Sequence, residues 1–192
     1  MSMEGNQPSY LKGQMLMAMP NLADPNFSKT VTCICEHTEV GALGIVINRI
    51  HPFISAKEIF KELKIDYATG AESIRIFIGG PVHVGELFIL HGPPFHWKGC
   101  VNITPTLALS NTRDILESIA RKEGVVSAFL IALGCAGWGQ LQLESELSAN
   151  AWLTGPVADE LLFEVPIESR WDRAMELIGI DPMKLSNATG SA

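Results

Sequence analysis

The sequence predicts a single domain of mixed α/β structure, because strand-like and helix-like segments follow each other along the chain. Short apolar runs that end at Gly or Pro indicate strands, and apolar residues spaced three and four apart indicate helices. The two kinds of segment alternate only loosely and hairpins lie between them, so a purely doubly wound parallel sheet is not expected. We expect this domain to span residues 10–184, between flexible tails at 1–9 and 185–192.

Two apolar runs, residues 31–35 and 43–48, predict a pair of strands near the start of the domain. The segment 37–41 between them is short and ends in Gly41, which is typical of a hairpin. Both runs are apolar at nearly every position, so neither face of these strands is suited to contact water. We therefore expect the pair to lie at the centre of a sheet that is covered on both sides.

Three further strands are predicted in the middle of the chain. Residues 74–78 contain alternating isoleucines and stop at a Gly-Gly-Pro sequence, and residues 87–90 form a second apolar run. The longest apolar run, residues 125–133, follows a glycine and predicts the third strand. The glycine-rich segment 134–139 then predicts a tight turn from this strand into a helix.

Four segments have the apolar spacing of helices. Ser55 followed by Glu58 predicts a capping box at the start of the first helix, and residues 111–114 predict the cap of the second. A third helix is expected after the glycine-rich turn. The fourth runs from Ile167 to Gly179, with its apolar residues on one face and a glycine that can end it.

The charge of the chain disfavours direct contact with nucleic acid. The sequence contains 14 basic and 21 acidic residues, which gives a net charge of −7. Proteins that bind phosphate backbones present clusters of Lys and Arg, and no basic run occurs here. The densest basic stretch is interleaved with acidic residues, as expected for a solvated helix face. It consists of Lys57, Glu58, Lys61, Glu62 and Lys64.

The cysteines and the N-terminal segment predict a cytoplasmic protein. Three of the 4 cysteines lie inside apolar runs, and buried free thiols fit a reducing compartment. The apolar stretch 16–19 is too short for a signal peptide or a membrane span. A chain of this length buries enough surface to fold without a disulfide or a structural metal, so neither is expected.

Cys33, Cys35 and His37 resemble a metal-binding triplet, but their position on a strand argues against that interpretation. Along a strand Cys33 and His37 would lie about 13 Å apart, and zinc holds each ligand at about 2.0–2.3 Å. We therefore expect no metal site. Cys35 and His37 could instead form a thiolate–imidazole pair, although the neighbouring Glu36 opposes a reactive thiol. The alternative is an ordinary core strand with a polar end.

The segment 134–139 offers a candidate site for an anion. Glycines after a buried strand leave backbone N–H groups free to point into a shared hollow, next to the N-terminus of a helix. The candidate residues are Gly134, Gly137, Trp138 and Gly139. Their spacing matches neither the dinucleotide-binding fingerprint nor the P-loop, and no Lys-Ser/Thr follows. A tight turn plugged by Trp138 is the alternative interpretation.

A second glycine-rich edge consists of Gly79, Gly80 and Pro81. Glycines at the end of a strand indicate a positive φ or a close approach of backbones. If the chain forms a pocket, we expect it where this edge, the segment 134–139, Asn48 and the segment 35–37 come together. The candidate set for binding a ligand or a partner comprises all of these positions.

The sequence assigns no catalytic residue. His83 and His91 lie on either side of the strand predicted at 87–90, where histidines can transfer protons or simply form hydrogen bonds within loops. No set of a nucleophile, a base and an orienting group can be assembled from the spacing. No cofactor is expected, and whether the protein is an enzyme stays open.

Several segments taken together resemble the AlgH/YqgE family, an uncharacterised family of bacterial proteins. They occur in order over residues 10–181, nearly the whole domain, which makes the likeness specific. The matching segments are 16–20 (LMAMP), 24–27 (DPNF), 30–37 (TVTCICEH), 41–48 (GALGIVIN), 79–82 (GGPV), 110–116 (SNTRDIL), 132–141 (ALGCAGWGQL), 150–153 (NAWL) and 170–171 (RW).

The resemblance implies a mixed α/β fold with a bifurcated, partly barrel-like sheet surrounded by helices, in a bacterial cytosolic protein. It also implies a regulatory role, proposed for transcription, and it brings no assigned reaction or cofactor. The chain departs from the family at residues 189–192, where a Gly-His-Ala-like ending is common. A role of that ending is therefore not transferred to this chain.

Three functions remain compatible with the sequence. The first is a regulatory or interaction protein that contacts a protein or a ligand, and that reaches the transcription machinery through another protein. The second is a small-molecule, nucleotide or anion-binding protein, or a hydrolase, that uses the glycine-rich strand ends. The third is an assembly component whose glycines only turn corners. The expected partner is an unknown protein or a small anionic ligand, and neither nucleic acid nor membrane.

Overall fold

The computed structural model describes residues 10–123, 126 and 128–188. This part of the chain forms ten strands, six α-helices and two short 3₁₀ turns. The strands are β1 (Gln14–Ala18), β2 (Val31–Thr38), β3 (Gly41–Val46), β4 (Ile50–Ser55), β5 (Arg75–Ile78), β6 (Val82–His91), β7 (Val101–Asn102), β8 (Ala108–Ser110), β9 (Phe129–Gly139) and β10 (Trp152–Pro156). The helices are α1 (Ala56–Glu62), α2 (Arg113–Arg121), α3 (Gln142–Ser148), α4 (Asp159–Phe163), α5 (Arg170–Leu177) and α6 (Pro182–Ala188).

The ten strands form one curled, mostly antiparallel sheet that forks at β9. One branch has the order β10-β1-β2-β3-β9, and the other has the order β4-β5-β9-β6-β8-β7. Among the described strands, β5 and β9 form the one parallel pair. This architecture confirms the mixed α/β class and the bifurcated, partly barrel-like sheet that the resemblance implied.

The fork lies at Gly134, in the middle of β9. Residues before Gly134 pair with β5 and β6, whereas residues 136–139 pair with β3, and Cys135 still pairs with Val82 of β6. Gly134 has a φ of +72°, and a Cβ atom there would lie 2.5 Å from the carbonyl oxygen of Gly80. Both the backbone angle and the lack of space require glycine, so this residue allows the strand to change partners.

Three apolar clusters cover both faces of the sheet. The main cluster includes Leu161 of α4 and Trp171 of α5. A second cluster joins α1 and α2 to β5, β6 and β9, and a third packs α3 against the branch that contains β1 and β2. Cys33 of β2 belongs to the main cluster and the adjacent Ile34 belongs to the third. This alternation confirms the predicted central position of β2, covered on both faces.

The signals at the ends of helices and hairpins are confirmed. β2 and β3 form the predicted antiparallel hairpin, with Thr38 opposite Gly41. Ser55 and Glu58 form the capping box of α1, and Thr112 is the N-cap of α2. The fourth predicted helix begins as a 3₁₀ turn at residues 167–169 and continues as α5.

The predicted strand at 125–133 and the predicted turn at 134–139 are wrong in their boundaries. β9 begins at Phe129 and runs through the entire glycine-rich segment to Gly139, so this segment is strand. The reason is tertiary, because the glycines let neighbouring backbones approach closely. A Cβ atom on Gly41 of β3 would lie 2.2 Å from the carbonyl oxygen of Trp138. Residues 124, 125 and 127 lie outside the described residues.

The C-terminal boundary also differs from the expectation. Residues 185–188, expected in a flexible tail, lie in α6, and Leu185 packs against the main cluster. Residues 1–9 and 189–192 lie outside the described residues, so the rest of both expected tails stays a prediction. Across the described chain, none of the helices has the length and apolar character needed to cross a membrane.

Candidate functional site

The two predicted glycine-rich edges pack backbone against backbone. The N–H of Gly79 donates to the carbonyl of Leu133 at 2.8 Å, and the Gly79 carbonyl accepts the N–H of Val46 at 2.8 Å. A Cβ atom on Gly80 would lie 2.2 Å from the carbonyl carbon of Cys135. These glycines therefore serve the close contact with β9, and the Gly79 amide is already used within the sheet.

The segment predicted to cradle an anion does not gather its N–H groups at one point. Residues 136–139 pair with β3, and successive N–H groups of a strand point to alternate sides. The N–H of Gly139 donates to Oε1 of Gln142 at 3.0 Å. A Cβ atom on Gly137 would lie 3.3 Å from a methyl group of Val82. The geometry on which the predicted anion site depended is therefore absent from this segment.

Trp138 is a packing residue anchored by a carboxylate. The side chain is buried, and its Nε1 donates to Oε2 of Glu146 at 2.9 Å. Nε1 of Trp152 donates to the same oxygen at 2.8 Å, and the two indoles meet edge to face at 6.0 Å. Phe27 stacks on Trp138 with ring centroids 6.1 Å apart. The shared acceptor Glu146 fixes both rings, and the sequence did not indicate it.

The predicted thiolate–imidazole pair of Cys35 and His37 does not form. A β-bulge between Ile34 and Glu36 makes Cys35 the extra residue of β2. The Cys35 thiol packs in the main cluster and donates to the carbonyl of Cys33 at 3.5 Å. Burial raises the pKa of the Cys35 thiol well above its ordinary value, and the nearby Cys33 acts in the same direction. Cys35 is therefore an inert core thiol.

His37 has both ring nitrogens in use. Its Nδ1 accepts the backbone N–H of Leu11 at 2.9 Å, so Nε2 carries the hydrogen and donates to Oε1 of Glu144 at 2.9 Å. Tyr10 meets the imidazole edge to face at 5.4 Å. His37 thus joins the start of the described chain to α3, which is a structural role.

The remaining predicted site residues have separate roles. Asn48 accepts the N–H of Val31 at 2.9 Å and donates to the carbonyl of Lys29 at 2.8 Å, so it holds the turn before β2. Glu36 is exposed on the surface. Gly80 and Pro81 do line a hollow of about 310 Å³. Arg49 also lines it, but its guanidinium donates to the carbonyls of residues 25, 26 and 28.

A different surface feature arises where β6 leaves β9. Val82 pairs with Cys135 and Leu87 pairs with Leu133, so four residues of β6 face Gly134 alone. These residues, 83–86, form an arch within β6 that has no pairing partner in β9, although a Cβ atom on Gly134 would lie 3.3 Å from Cα of Val84. A Cβ atom on Gly85 would have no heavy atom within 4 Å. The side chains at the ends of the arch are close, with Nδ1 of His83 3.1 Å from Oε1 of Glu86.

An apolar groove lies between the arch and α1. Its volume is about 370 Å³, and a second hollow of about 270 Å³ that shares Leu63, Gly85 and Leu87 extends it to the start of α2. The lining of the first part consists of Ile54, Glu58, Ile59, Glu62, Leu63, Val84, Gly85, Leu87 and Leu133. Val84 is 67% exposed and Leu63 is 37% exposed, so the edge of the groove presents apolar side chains to water.

Phe53 adds to the exposed apolar surface beside the groove lining. It is the residue before Ile54, and its side chain is 87% exposed. The part of β4 that carries it is held by His51, whose Nδ1 accepts the N–H groups of Phe53 at 3.2 Å and Ile54 at 2.9 Å. The ring is therefore exposed on an ordered segment.

The charged residues of the groove are acidic. Glu58 and Glu62 line it, whereas none of the three lysines of this stretch does. The hydrogen bonds from the Ser55 side chain and then the Ser55 backbone lower the pKa of Glu58. Arg113 borders the second hollow, but its guanidinium donates to Oε1 of Glu117 at 2.6 Å and to the carbonyl of Leu63 at 2.9 Å. The lining of the groove therefore holds two carboxylates and no basic side chain.

Reasoning from the sequence missed the groove because its walls come from distant parts of the chain. Local patterns identified α1 and the strand at 87–90, and the expected strand began after the arch. One signal was available. Val82 and Val84 alternate with His83 and Gly85, and a glycine inside an alternating segment is typical of a strand with an irregularity. In the described part of the chain, no group of three or more His, Cys, Asp or Glu side chains is arranged to hold a metal ion.

The fold and the surface define a class of protein: a mixed α/β domain with a forked sheet and an apolar surface groove. The chain belongs to the AlgH-like family DUF179, whose model matches residues 15–183. It is 50% identical over 190 residues to a UPF0301 protein of Desulforapulum autotrophicum, with 99% of this chain and 100% of that protein covered. It is 43% identical to a UPF0301 protein of Paracoccus denitrificans, with 97% and 100% covered.

Two solved structures share the architecture. The solution structure of the AlgH protein from Pseudomonas aeruginosa has a TM-score of 0.78 at 40% identity, and the match covers 99% of this chain and 98% of that chain. The crystal structure of a protein from Corynebacterium diphtheriae has a TM-score of 0.67 at 20% identity, with 95% and 92% covered. The second likeness concerns the fold alone. Together with the family match, the first confirms the resemblance read from the sequence.

Proposed function

We propose that this protein is a regulatory interaction protein that holds a segment of a partner protein in the groove between α1 and the arch. The observation that carries the proposal is the exposure of Leu63 and Val84 at the edge of an apolar hollow. Apolar side chains gathered at one exposed place are typical of protein-binding surfaces. A role in transcription would then be exerted through a bound protein.

The charge of the groove defines the chemistry of the partner. Glu58 and Glu62 face a bound segment, and the whole chain carries a net charge of −7. A partner with Lys or Arg beside its apolar residues would be attracted, and an acidic one would be repelled. A basic amphipathic helix combines both features, because apolar anchors at i, i+3 and i+4 enter a groove while cations flank them.

The size of the groove implies a weak, reversible interaction. Each apolar side chain that becomes buried contributes about 1.5–3 kcal/mol, and a micromolar dissociation constant requires about 8 kcal/mol. A few anchors from the partner, together with Leu63 and Val84, supply this order of magnitude after the costs of association. Such an affinity is suited to a regulatory contact that forms and dissolves.

The glycine-rich alternative receives less support. The Gly79 and Gly139 amides are engaged within the protein, and Arg49 beside the hollow at Gly80 is bound to backbone carbonyls. An anion would therefore have to displace existing hydrogen bonds before it gained new ones. Binding of a nucleotide or a small anion at these strand ends stays a prediction from the sequence.

The proposal is tested with a labelled model peptide in which leucines and lysines alternate at helical spacing. Fluorescence anisotropy should show binding of this peptide to the wild-type protein, and no binding of the matched leucine–glutamate peptide. Leu63→Asp should weaken binding at least about tenfold, because it places a carboxylate at the apolar edge. Leu177→Asp is the matched control, since Leu177 is 47% exposed on α5, outside the groove.

A second pair of variants tests the charge. Glu62→Lys and Glu176→Lys change the net charge equally, but Glu62 lines the groove and Glu176 lies on α5. We expect Glu62→Lys to weaken binding more than Glu176→Lys, and the difference to shrink at high salt. Equal binding within each matched pair, Leu63→Asp with Leu177→Asp and Glu62→Lys with Glu176→Lys, would show that the peptide binds through overall charge alone, and the groove would then not be the binding site.

A further inference from the structure

A second group of side chains lies away from the groove, around the buried His91. The imidazole is 0% exposed, and its Nδ1 lies 2.7 Å from the carbonyl oxygen of Gly92. Nδ1 must therefore carry the hydrogen and donate it, which leaves Nε2 as an acceptor. The hydroxyl of Ser110 donates to Nε2 at 2.9 Å, and the thiol of Cys100 lies 3.9 Å from the same atom.

Cys100 differs from the other cysteines in exposure. All 4 thiols are free; Cys33, Cys35 and Cys135 are buried, and Cys100 is half-buried. Burial raises the pKa of Cys135, as it does for Cys35, so these core thiols resist reaction. A thiol that solvent reaches, with an imidazole acceptor beside it, is the arrangement that favours thiol chemistry.

The loop that carries Cys100 is attached to α2, so the arrangement is ordered. The hydroxyl of Thr112 donates to the carbonyl of Lys98 at 3.0 Å, and the N–H of Lys98 donates to Oδ2 of Asp114 at 3.2 Å. The N–H of Cys100 donates to the carbonyl of Trp97 at 3.2 Å. These bonds hold the thiol near His91 in the folded protein.

We propose that Cys100 is a modification site at which hydroperoxides oxidise the thiol, with His91 as the base. Nε2 of His91 takes the thiol proton, and the sulfur attacks one oxygen of hydrogen peroxide while the O–O bond breaks. The leaving hydroxide takes a proton from solvent, because His91 is 0% exposed, and the imidazolium then releases its proton to solvent. The products are a sulfenic acid on Cys100 and one water molecule, so the sulfur is oxidised by two electrons and the peroxide is reduced.

Ser110 restrains this reaction. Its hydroxyl occupies the lone pair of Nε2 that must accept the thiol proton, and one lone pair cannot serve both donors fully. Ser110 is not the nucleophile, because it is 1% exposed and a substrate could not reach it. Burial lowers the pKa of His91, which keeps the ring neutral and its lone pair available at neutral pH.

The test measures the rate at which hydrogen peroxide and the trapping reagent dimedone label each cysteine, read by peptide mass spectrometry. We expect adducts on Cys100 and none on the three buried cysteines. His91→Gln should slow the labelling of Cys100 at least about tenfold. The effect should be smaller than the largest general-base effects, because the sulfur lies 3.9 Å from Nε2. Ser110→Ala should accelerate it by about fivefold, because the competing hydrogen bond is lost.

The controls separate chemistry from loosening of the fold. Ser148→Ala removes a hydroxyl that donates to the carbonyl of Glu144 on α3, and it should leave the rate unchanged. The buried cysteines report any opening of the core in each variant. Equal rates in the wild type, His91→Gln and Ser110→Ala would overturn the proposal. So would adducts that appear on Cys100 only together with adducts on the core thiols.

Discussion

The two glycine-containing surfaces beside the fork of β9 differ in how closely the backbones meet. At Gly80 the chain touches Cys135, and a Cβ atom would collide with its backbone at 2.2 Å. At Gly85, in the arch, a Cβ atom would meet open space. Glycine therefore marks a sealed contact in one place and an exposed, irregular strand in the other. The open surface thus lies beside Gly85, which was not among the predicted site residues.

A pair of alanine substitutions tests most directly whether Gly80 is closely packed and Gly85 is not. Gly80→Ala should lower the free energy of unfolding by about 3–5 kcal/mol, because the φ of +151° and the close contact both oppose a side chain. Gly85→Ala should leave it unchanged or raise it by up to about 1 kcal/mol. Urea denaturation of both variants measures the difference. Equal stabilities would contradict the assignment of a sealed and an open side.

The next effect concerns the carboxylate of Glu146, which accepts hydrogen bonds from two indoles. Glu146→Ala leaves the indole N–H groups of Trp138 and Trp152 without their acceptor, which should cost about 2–3 kcal/mol. Glu146→Gln keeps an acceptor oxygen and should cost less. Glu168→Ala, at an exposed position, is the control and should stay within about 0.5 kcal/mol. A loss as small for Glu146→Ala as for the control would argue against the shared hydrogen bonds.

A smaller effect should appear as a pH dependence. Burial lowers the pKa of His91 in the folded state, so below about pH 6.5 the unfolded chain binds a proton that the folded protein does not. Stability should therefore fall as the pH decreases through that value, and part of the slope should vanish in His91→Gln. Denaturation between about pH 7.5 and 5.5 measures the slopes. Identical slopes in both proteins would exclude His91 as a contributor.

On the open side, the edge of the groove should contribute little to stability. Val84→Ser removes an apolar side chain that is 67% exposed, so the free energy of unfolding should stay within about 0.5 kcal/mol. The same variant should weaken binding of the leucine–lysine peptide in the anisotropy measurement. A large loss of stability would show that Val84 supports the fold and is not free to bind a partner.

The last prediction is that added anions do not change the melting temperature. Millimolar phosphate or ATP should leave the melting temperature unchanged, because the glycine amides of the sealed side are already engaged. A ligand that binds only the folded state must raise the melting temperature. A clear rise would restore the glycine-rich strand ends as a binding site, and Arg49→Ala would show whether the hollow at Gly80 is responsible.

Local signals predicted the elements well where short-range chemistry decides them. The capping box of Ser55 and Glu58 and the cap at Thr112 depend on contacts within four residues. Nearly continuous apolar runs also indicated that β2 and β3 are buried on both faces. The glycine-rich segment 134–139 was predicted as a turn and is a strand, because a glycine that allows a turn and a glycine that admits a neighbouring strand look the same in a sequence.

The site was less predictable than the fold. Cys35 and His37 are two residues apart and were expected on one face, but the bulge in β2 separates them. His91, Ser110 and Cys100 are nine or more residues from one another in the chain, and no spacing rule connects them. Only pairing between strands brings such residues within reach of one another.

The mixed α/β class, the hairpin, the caps, the buried strands and the family follow from the residues alone, because they depend on local periodicity and on many matched segments. Contacts between distant strands set the remaining features: β9 continues through its glycines, residues 83–86 of β6 have no partner in β9, and a groove opens beside α1. The physical reason is that such contacts, for example that of Gly80 with Cys135, join residues that are far apart in the chain, and local residue patterns do not reveal them.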